Sequence, residues 1–102
     1  MGIIIKSPPE IALMRQAGRI VASILKTLAQ EIRPGMKTRE LDEMSLQEMK
    51  KYGVKSSFKG YRGYPAQICV SVQNELVHGI PGDRVLHEGE VVSLDAGVIY
   101  QG

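Results

Sequence analysis

Asp95, His78 and an aromatic, glycine-rich loop stand between Phe58 and Gly97, and they are the side chains best placed by type and spacing to do chemistry. Asp95 closes the run Glu90-Val-Val-Ser-Leu-Asp95. With a strand period of two, Val92, Leu94 and Ala96 face one way and Val91, Ser93 and Asp95 the other. A carboxylate among β-branched residues is costly to bury unless a positive charge offsets its desolvation. No Lys or Arg lies beside it in the chain, and a divalent metal would serve, since carboxylates suit hard cations. An aspartate at a strand end, solvated or bonded to amides of the Ala96-Gly97 turn, needs no such ligand. Spacing alone leaves both readings open.

His78 precedes Gly79-Ile80-Pro81. Glycine permits close approach and proline stiffens the loop, which suits a histidine acting as hydrogen-bond donor or proton shuttle in a cleft. A turn histidine half in water is the plainer alternative. His87, in a His-Glu-Gly turn, has no partner pattern and reads as surface. Tyr61-Arg-Gly-Tyr64-Pro65 offers rigid apolar faces with polar tips, the makings of a pocket wall, or an ordinary glycine-rich surface loop. A nucleic-acid stacking groove needs a basic track, for which Lys55, Lys59 and Arg62 are a thin set. Cys69 has neither an adjacent base nor metal-ligand spacing and reads as a buried structural thiol. One aspartate cannot hold the pair of ions that many metal hydrolases use.

Two helices and a set of strands must position these residues. Ser7-Pro8-Pro9-Glu10 combines a cap, a first-turn proline and a capping-box glutamate. Ile11, Met14, Gly18, Val21, Leu25, Leu28 and Ile32 then recur at helical spacing, with Ala17 and Ile24 alongside, and predict one apolar stripe. Gly18 in mid-helix predicts a close packing contact. Pro34-Gly35 ends this helix, and Thr38 is the expected cap of the next. The second stripe is Leu41, Met44, Met49 and Tyr52, with Leu46 beside it, and Gly53 is the expected left-handed terminus. Ile68 to Val72 predicts a strand, Gln73-Asn74 a turn and Glu75 to His78 a short return strand. Val85-Leu86 is brief. Val91 to Tyr100 is the longest strand candidate, broken at Gly97. Helices followed by strands predict an α+β fold, with two helices on one face of a mainly antiparallel sheet. Gln101-Gly102 reads as the start of a hairpin turn, so residues 1–102 are expected to form a single truncated domain.

A chain of 102 residues can bury one modest core. Its net charge of +2, with mixed signs, argues against nucleic-acid or membrane-surface partners. No apolar run approaches the roughly 18 residues that span a bilayer. A single cysteine excludes an internal disulfide and sets a reducing, cytoplasmic compartment as the default.

The whole chain resembles the N-terminal part of type I methionine aminopeptidases. The matching segments are Lys6-Ser7-Pro8, Met14-Arg-Gln-Ala-Gly-Arg19, Pro34-Gly35, Phe58 to Pro65, Cys69 to Pro81 with His78, and Gly89 to Asp95. That resemblance implies half of a pita-bread fold, in which two α/β halves enclose the active site. It implies removal of the initiator methionine from nascent, ribosome-borne polypeptides by two divalent ions, of Co, Mn, Fe or Zn. Asp95 matches the first metal-binding aspartate and His78 the active-site histidine that hydrogen-bonds substrate. Phe58, Tyr61, Tyr64 and Cys69 match walls of the methionine side-chain pocket. Gln73 and Phe58 depart from the commoner family residues. The remaining metal ligands of the family are not in this sequence. The expectation is therefore a chain inactive or weakly active alone, completed by a homodimer partner or by the missing C-terminal half. The rival expectations are a non-catalytic binding or assembly fragment, and a relative with X-Pro dipeptidase specificity.

Overall fold

A computed structural model describes residues 8–72 and 79–100. Helix α1 runs Pro8–Glu31, and α2 runs Thr38–Tyr52. Strand β1 is Lys55–Ser56, a short 3-10 turn spans Tyr61–Gly63, β2 is Cys69–Val72, β3 is Val92–Asp95 and β4 is Val98–Ile99. The expected cap Ser7, the Glu75–His78 return strand and the Gln101-Gly102 turn lie outside the described residues.

The apolar stripe of α1 is narrower than its spacing suggests. Ile20, Ile24 and Leu28 are buried, whereas Ile11 and Met14, at the head of the expected stripe, are exposed. Ile24, expected beside the stripe, is its centre. The reason is reach: α1 packs on α2 and β4, and its first turns extend past both. Gly18 accordingly makes no close contact, since a Cβ there would meet nothing within 4 Å.

Helix α2 departs in the same sense. Its N-cap is Lys37, whose backbone N–H donates to the Glu40 carboxylate at 2.6 Å. Thr38 is instead the first helical residue, and its hydroxyl is spent on a distant loop. It donates to the Gly82 carbonyl at 3.2 Å and accepts the Gly82 N–H at 2.8 Å. The buried face is Thr38, Leu41, Ser45 and Met49, while Tyr52 is exposed. A serine occupies that face because its hydroxyl donates back to the Asp42 carbonyl at 2.6 Å, which satisfies it without water. Gly53 ends the helix at φ 68° as expected. Its N–H meets the Lys50 carbonyl and that of Val54 meets Met49, the paired bonds of a Schellman cap.

The strands form two antiparallel ladders rather than one sheet: β1 with β4, and β2 with β3. One segment, 92–99, supplies a strand to each and bends between them at Ala96-Gly97. The bend is tight, because a Cβ on Gly97 would lie 2.3 Å from the Ser57 hydroxyl. The register pairs Val70 with Leu94 and Val72 with Val92 on one face, and Cys69 with Asp95 and Ser71 with Ser93 on the other. The first face joins the core formed by Ile24, Leu28, Leu41, Met49 and Ile68.

The 82–86 loop closes the layer by running along the α1–α2 connection. Gly35 and Met36 exchange backbone bonds with Leu86 at 2.8 and 2.7 Å, and Thr38 N–H reaches the Arg84 carbonyl at 3.0 Å. The turn that follows is held by Glu90, which accepts the His87 N–H at 2.6 Å and the Arg84 guanidinium at 2.9 Å. His87 itself is exposed, as expected.

Two glycines give opposite predictions. Gly79 is buried against β2, where a Cβ would lie 1.9 Å from the Val70 carbonyl oxygen. Gly79→Ala should destabilise by about 1–3 kcal/mol, as overpacking does. Gly18→Ala should stabilise by about 0.5–1 kcal/mol, since it only removes helix-interior glycine entropy. Thermal denaturation of the two variants checks both signs. The His87 N–H and the Arg84 cation hold the Glu90 carboxyl below its ordinary value. A depressed native pKa contributes stability above the unfolded pKa and loses it as pH falls through the native one. Glu90→Gln should therefore lower stability at neutral pH and flatten its decline on acidification, as read by denaturation across pH 3–7.

Candidate functional site

The pocket loop begins where β1 ends. The Ser56 hydroxyl donates to the Gln67 carbonyl at 2.5 Å and accepts the N–H groups of Phe58 and Lys59 at 3.0 and 3.2 Å. That one buried hydroxyl pulls the start and end of the 58–67 loop together. Within it, Gly60 and Gly63 adopt φ 86° and 78°, and Arg62, between them, takes φ 49°. Backbone bonds from Gly60 N–H to Tyr64 O (2.9 Å) and Tyr64 N–H to Tyr61 O (2.9 Å) close the turn. The Arg62 guanidinium lies 5.5 Å from the Tyr61 ring centre.

This folding brings Phe58, Tyr61, Tyr64, Cys69 and Asp95 around one cavity of about 400 Å³. Residues separated by 37 positions in the chain thus share a wall. Phe58 and Tyr64 meet edge to face, their centroids 6.2 Å apart. Cys69 is buried and pairs directly across the ladder with Asp95, so both side chains leave the same face. Asp95 is exposed. Its charge is therefore met by water, and the desolvation argument for a compulsory counter-charge does not apply to it.

Tyr64 is the most constrained of the set. Its hydroxyl donates to the Ile68 carbonyl at 2.9 Å and lies 3.4 Å from that of Gly79. Burial first, then the Cys69 sulfur, then the carboxylates of Asp42 and Asp95, push its pKa upward. The phenol stays protonated and serves as a donor, not a base. His78 lies outside the described residues. Its neighbour Gly79 is pinned, accepting the Val70 N–H at 2.9 Å and donating to the Ser71 hydroxyl at 3.2 Å.

Asp42 is the residue that sequence reasoning missed. From α2 its carboxylate accepts the backbone N–H groups of Gln67 (2.8 Å) and Ile68 (3.0 Å). Those amides lie immediately before β2, between Tyr64 and Cys69. A polar residue one position from the buried Leu41 stripe was the one available signal, and it points equally to solvent.

The donor set is thin for a metal. Among the described residues, Asp95 is the one carboxylate lining the cavity. Among the described residues no three His, Cys, Asp or Glu side chains lie together. These residues do not by themselves fit a two-ion centre, and no step is routed through one.

The chain belongs to metallopeptidase family M24, whose profile matches residues 12–102. It is 51% identical over 100 residues to methionine aminopeptidase 1 of Bacillus subtilis, covering 98% of this chain and 40% of that protein. The crystal structure of methionine aminopeptidase from Thermotoga maritima superimposes with a TM-score of 0.93 at 44% identity, over 98% of this chain and 41% of that one. An Xaa-Pro dipeptidase from Bacillus anthracis matches with a TM-score of 0.80 at 29% identity, over 94% of this chain and 26% of that one. The expected α+β class and pita-bread relationship are thereby borne out. The chain spans about two fifths of the length of the methionine aminopeptidases it matches. Among the described residues no helix is long and apolar enough to cross a membrane.

Asp42→Ala should remove the acceptor from two backbone donors and cost about 1–3 kcal/mol. It should also loosen the wall next to Cys69. Urea denaturation reads the first effect. Faster reaction of Cys69 with a disulfide reagent under native conditions reads the second, and an unchanged rate would detach Asp42 from the pocket.

Proposed function

We propose that this chain carries the methionine-binding half of a methionine aminopeptidase site, within a single unit spanning residues 1–102. The observation that carries the reading is the cavity lined by Phe58, Tyr61, Tyr64, Cys69 and Asp95. Aromatic and sulfur surfaces suit an unbranched thioether side chain, which gains from sulfur–aromatic contact. Asp95 at the cavity is positioned as a ligand for one divalent ion of Co, Mn, Fe or Zn, which when bound would polarise the scissile carbonyl or activate water. His78, one residue from the pinned Gly79, is assigned the hydrogen bond to the substrate. Tyr64 orients the pocket through its hydroxyl.

The missing donors must come from outside these side chains. A complementary C-terminal half would supply them, and a homodimer is the alternative source. The substrate is the N-terminal methionine of nascent polypeptides, which places the work in the cytoplasm beside the ribosome. The likeness to Xaa-Pro dipeptidase supports a second reading, specificity for X-Pro peptides. The higher identity to methionine aminopeptidases and the aromatic and sulfur lining of the pocket favour the first.

Titration with L-methioninamide, followed by backbone amide NMR, should shift resonances of Phe58, Tyr61, Cys69 and Asp95. Tyr64→Ala should abolish those shifts, and Ala-Pro should produce weaker ones. Tighter binding of Ala-Pro would favour the dipeptidase reading, and shifts confined to other residues would remove the pocket assignment. With Mn²⁺ or Co²⁺ the chain alone should not hydrolyse Met-Ala-Ser. Turnover that grows with protein concentration and is lost in Asp95→Ala would show self-association completing the site.

A further inference from the structure

A second concavity, of about 510 Å³, lies where α2 ends and β1 begins. Among the described residues it shares no lining residue with the methionine cavity. Of its apolar lining, Leu46 is half-buried and faces the groove above the buried Met49 and Val54, and its rim carries Lys50, Lys55 and Lys59. All three lysines are exposed. Among the described residues none of them makes an ion pair, although Lys51, next to Lys50, pairs with Glu48 at 3.0 Å. The Lys59 ammonium donates to the Pro65 carbonyl at 2.7 Å and keeps two further donors. Lys50 sits in the last turn of α2, where a cation complements the helix dipole. That account does not extend to Lys55 on β1 or Lys59 on the pocket loop.

We infer that this groove binds an acidic peptide segment carrying an apolar anchor residue. The apolar floor takes the anchor, and the three ammonium groups, each on a different element, meet several carboxylates. Three separate cations exceed what the single headgroup of a fatty acid uses. Among the described residues the groove lining holds no aromatic ring for base stacking, which disfavours single-stranded RNA. The volume falls within the range of about 300–1,000 Å³ typical of ligand pockets.

The probe is a fluorescein-labelled Asp-Glu-Leu-Glu-Asp peptide, followed by anisotropy at low salt. Saturable binding is expected, weakened by added salt and by replacing the leucine with serine. The double variant Lys50→Glu/Lys55→Glu should weaken binding about tenfold, the scale set by reversing two exposed charge contacts. Lys59→Glu should act in the same direction, and Lys26→Glu, remote on α1, should have no effect. Circular dichroism confirms that each variant is folded. No saturable binding, equal loss in Lys26→Glu, or tighter binding of decanoate or an RNA octamer overturns the proposal. L-methioninamide binding is read separately on Lys50→Glu/Lys55→Glu and should be unchanged, so loss of acidic-peptide binding and loss of methionine binding are distinguishable.

Discussion

One carboxylate oxygen joins the helical layer to the pocket. Asp42 Oδ1 takes the N–H groups of Gln67 and Ile68, two adjacent donors that face α2 rather than a neighbouring strand. Ile68 is fully buried, so its amide has no water to fall back on. Charge-assisted bonds to a carboxylate are the stronger kind, and here two converge on one atom. From the other side the Tyr64 hydroxyl holds the Ile68 carbonyl. The peptide leading into β2 is thus clamped at both its N–H and its C=O, and the placement of Cys69 opposite Asp95 follows from that clamp.

The same economy governs the 92–99 segment. It forms a strand in each of two ladders and turns between them at Gly97, where a Cβ would displace the Ser57 hydroxyl. Alternation along it separates structure from chemistry. Val92, Leu94, Ala96 and Val98 pack on the core, whereas Asp95 faces away from it and lines the cavity. A one-residue slip would exchange these sets, burying a carboxylate and exposing the apolar face, which is why the register is strongly specified. The aromatic loop depends in turn on this segment, because Ser57 N–H donates to the Gly97 carbonyl at 2.9 Å.

The two concavities divide the surface by chemistry. Among the described residues the cavity beside Asp95 is aromatic and sulfur-lined with one carboxylate. The groove at the end of α2 is aliphatic with three positive groups, suited to the opposite charge. The loop tied by Ser56 lends Lys59 to one and Phe58, Tyr61 and Tyr64 to the other, so the two surfaces share a scaffold but, among the described residues, no lining side chain.

The sequence by itself determined the two helices, the strands at Cys69–Val72 and Val92–Asp95, the αL terminus at Gly53, the break at Gly97 and the separation of Asp95 from the apolar face of its strand, because these follow from local geometry and periodicity. The Phe58 to Asp95 motif also carried the family. Only the tertiary structure decided which apolar residues are core: Ile11 and Met14 have helical spacing but lie beyond the reach of any packed element. It also decided that Thr38 binds Gly82 instead of capping, that Ser45 is buried, and that Asp42 holds the pocket. Each of these is a polar group or apolar face whose partner lies far away in the chain, and no local pattern encodes a distant partner.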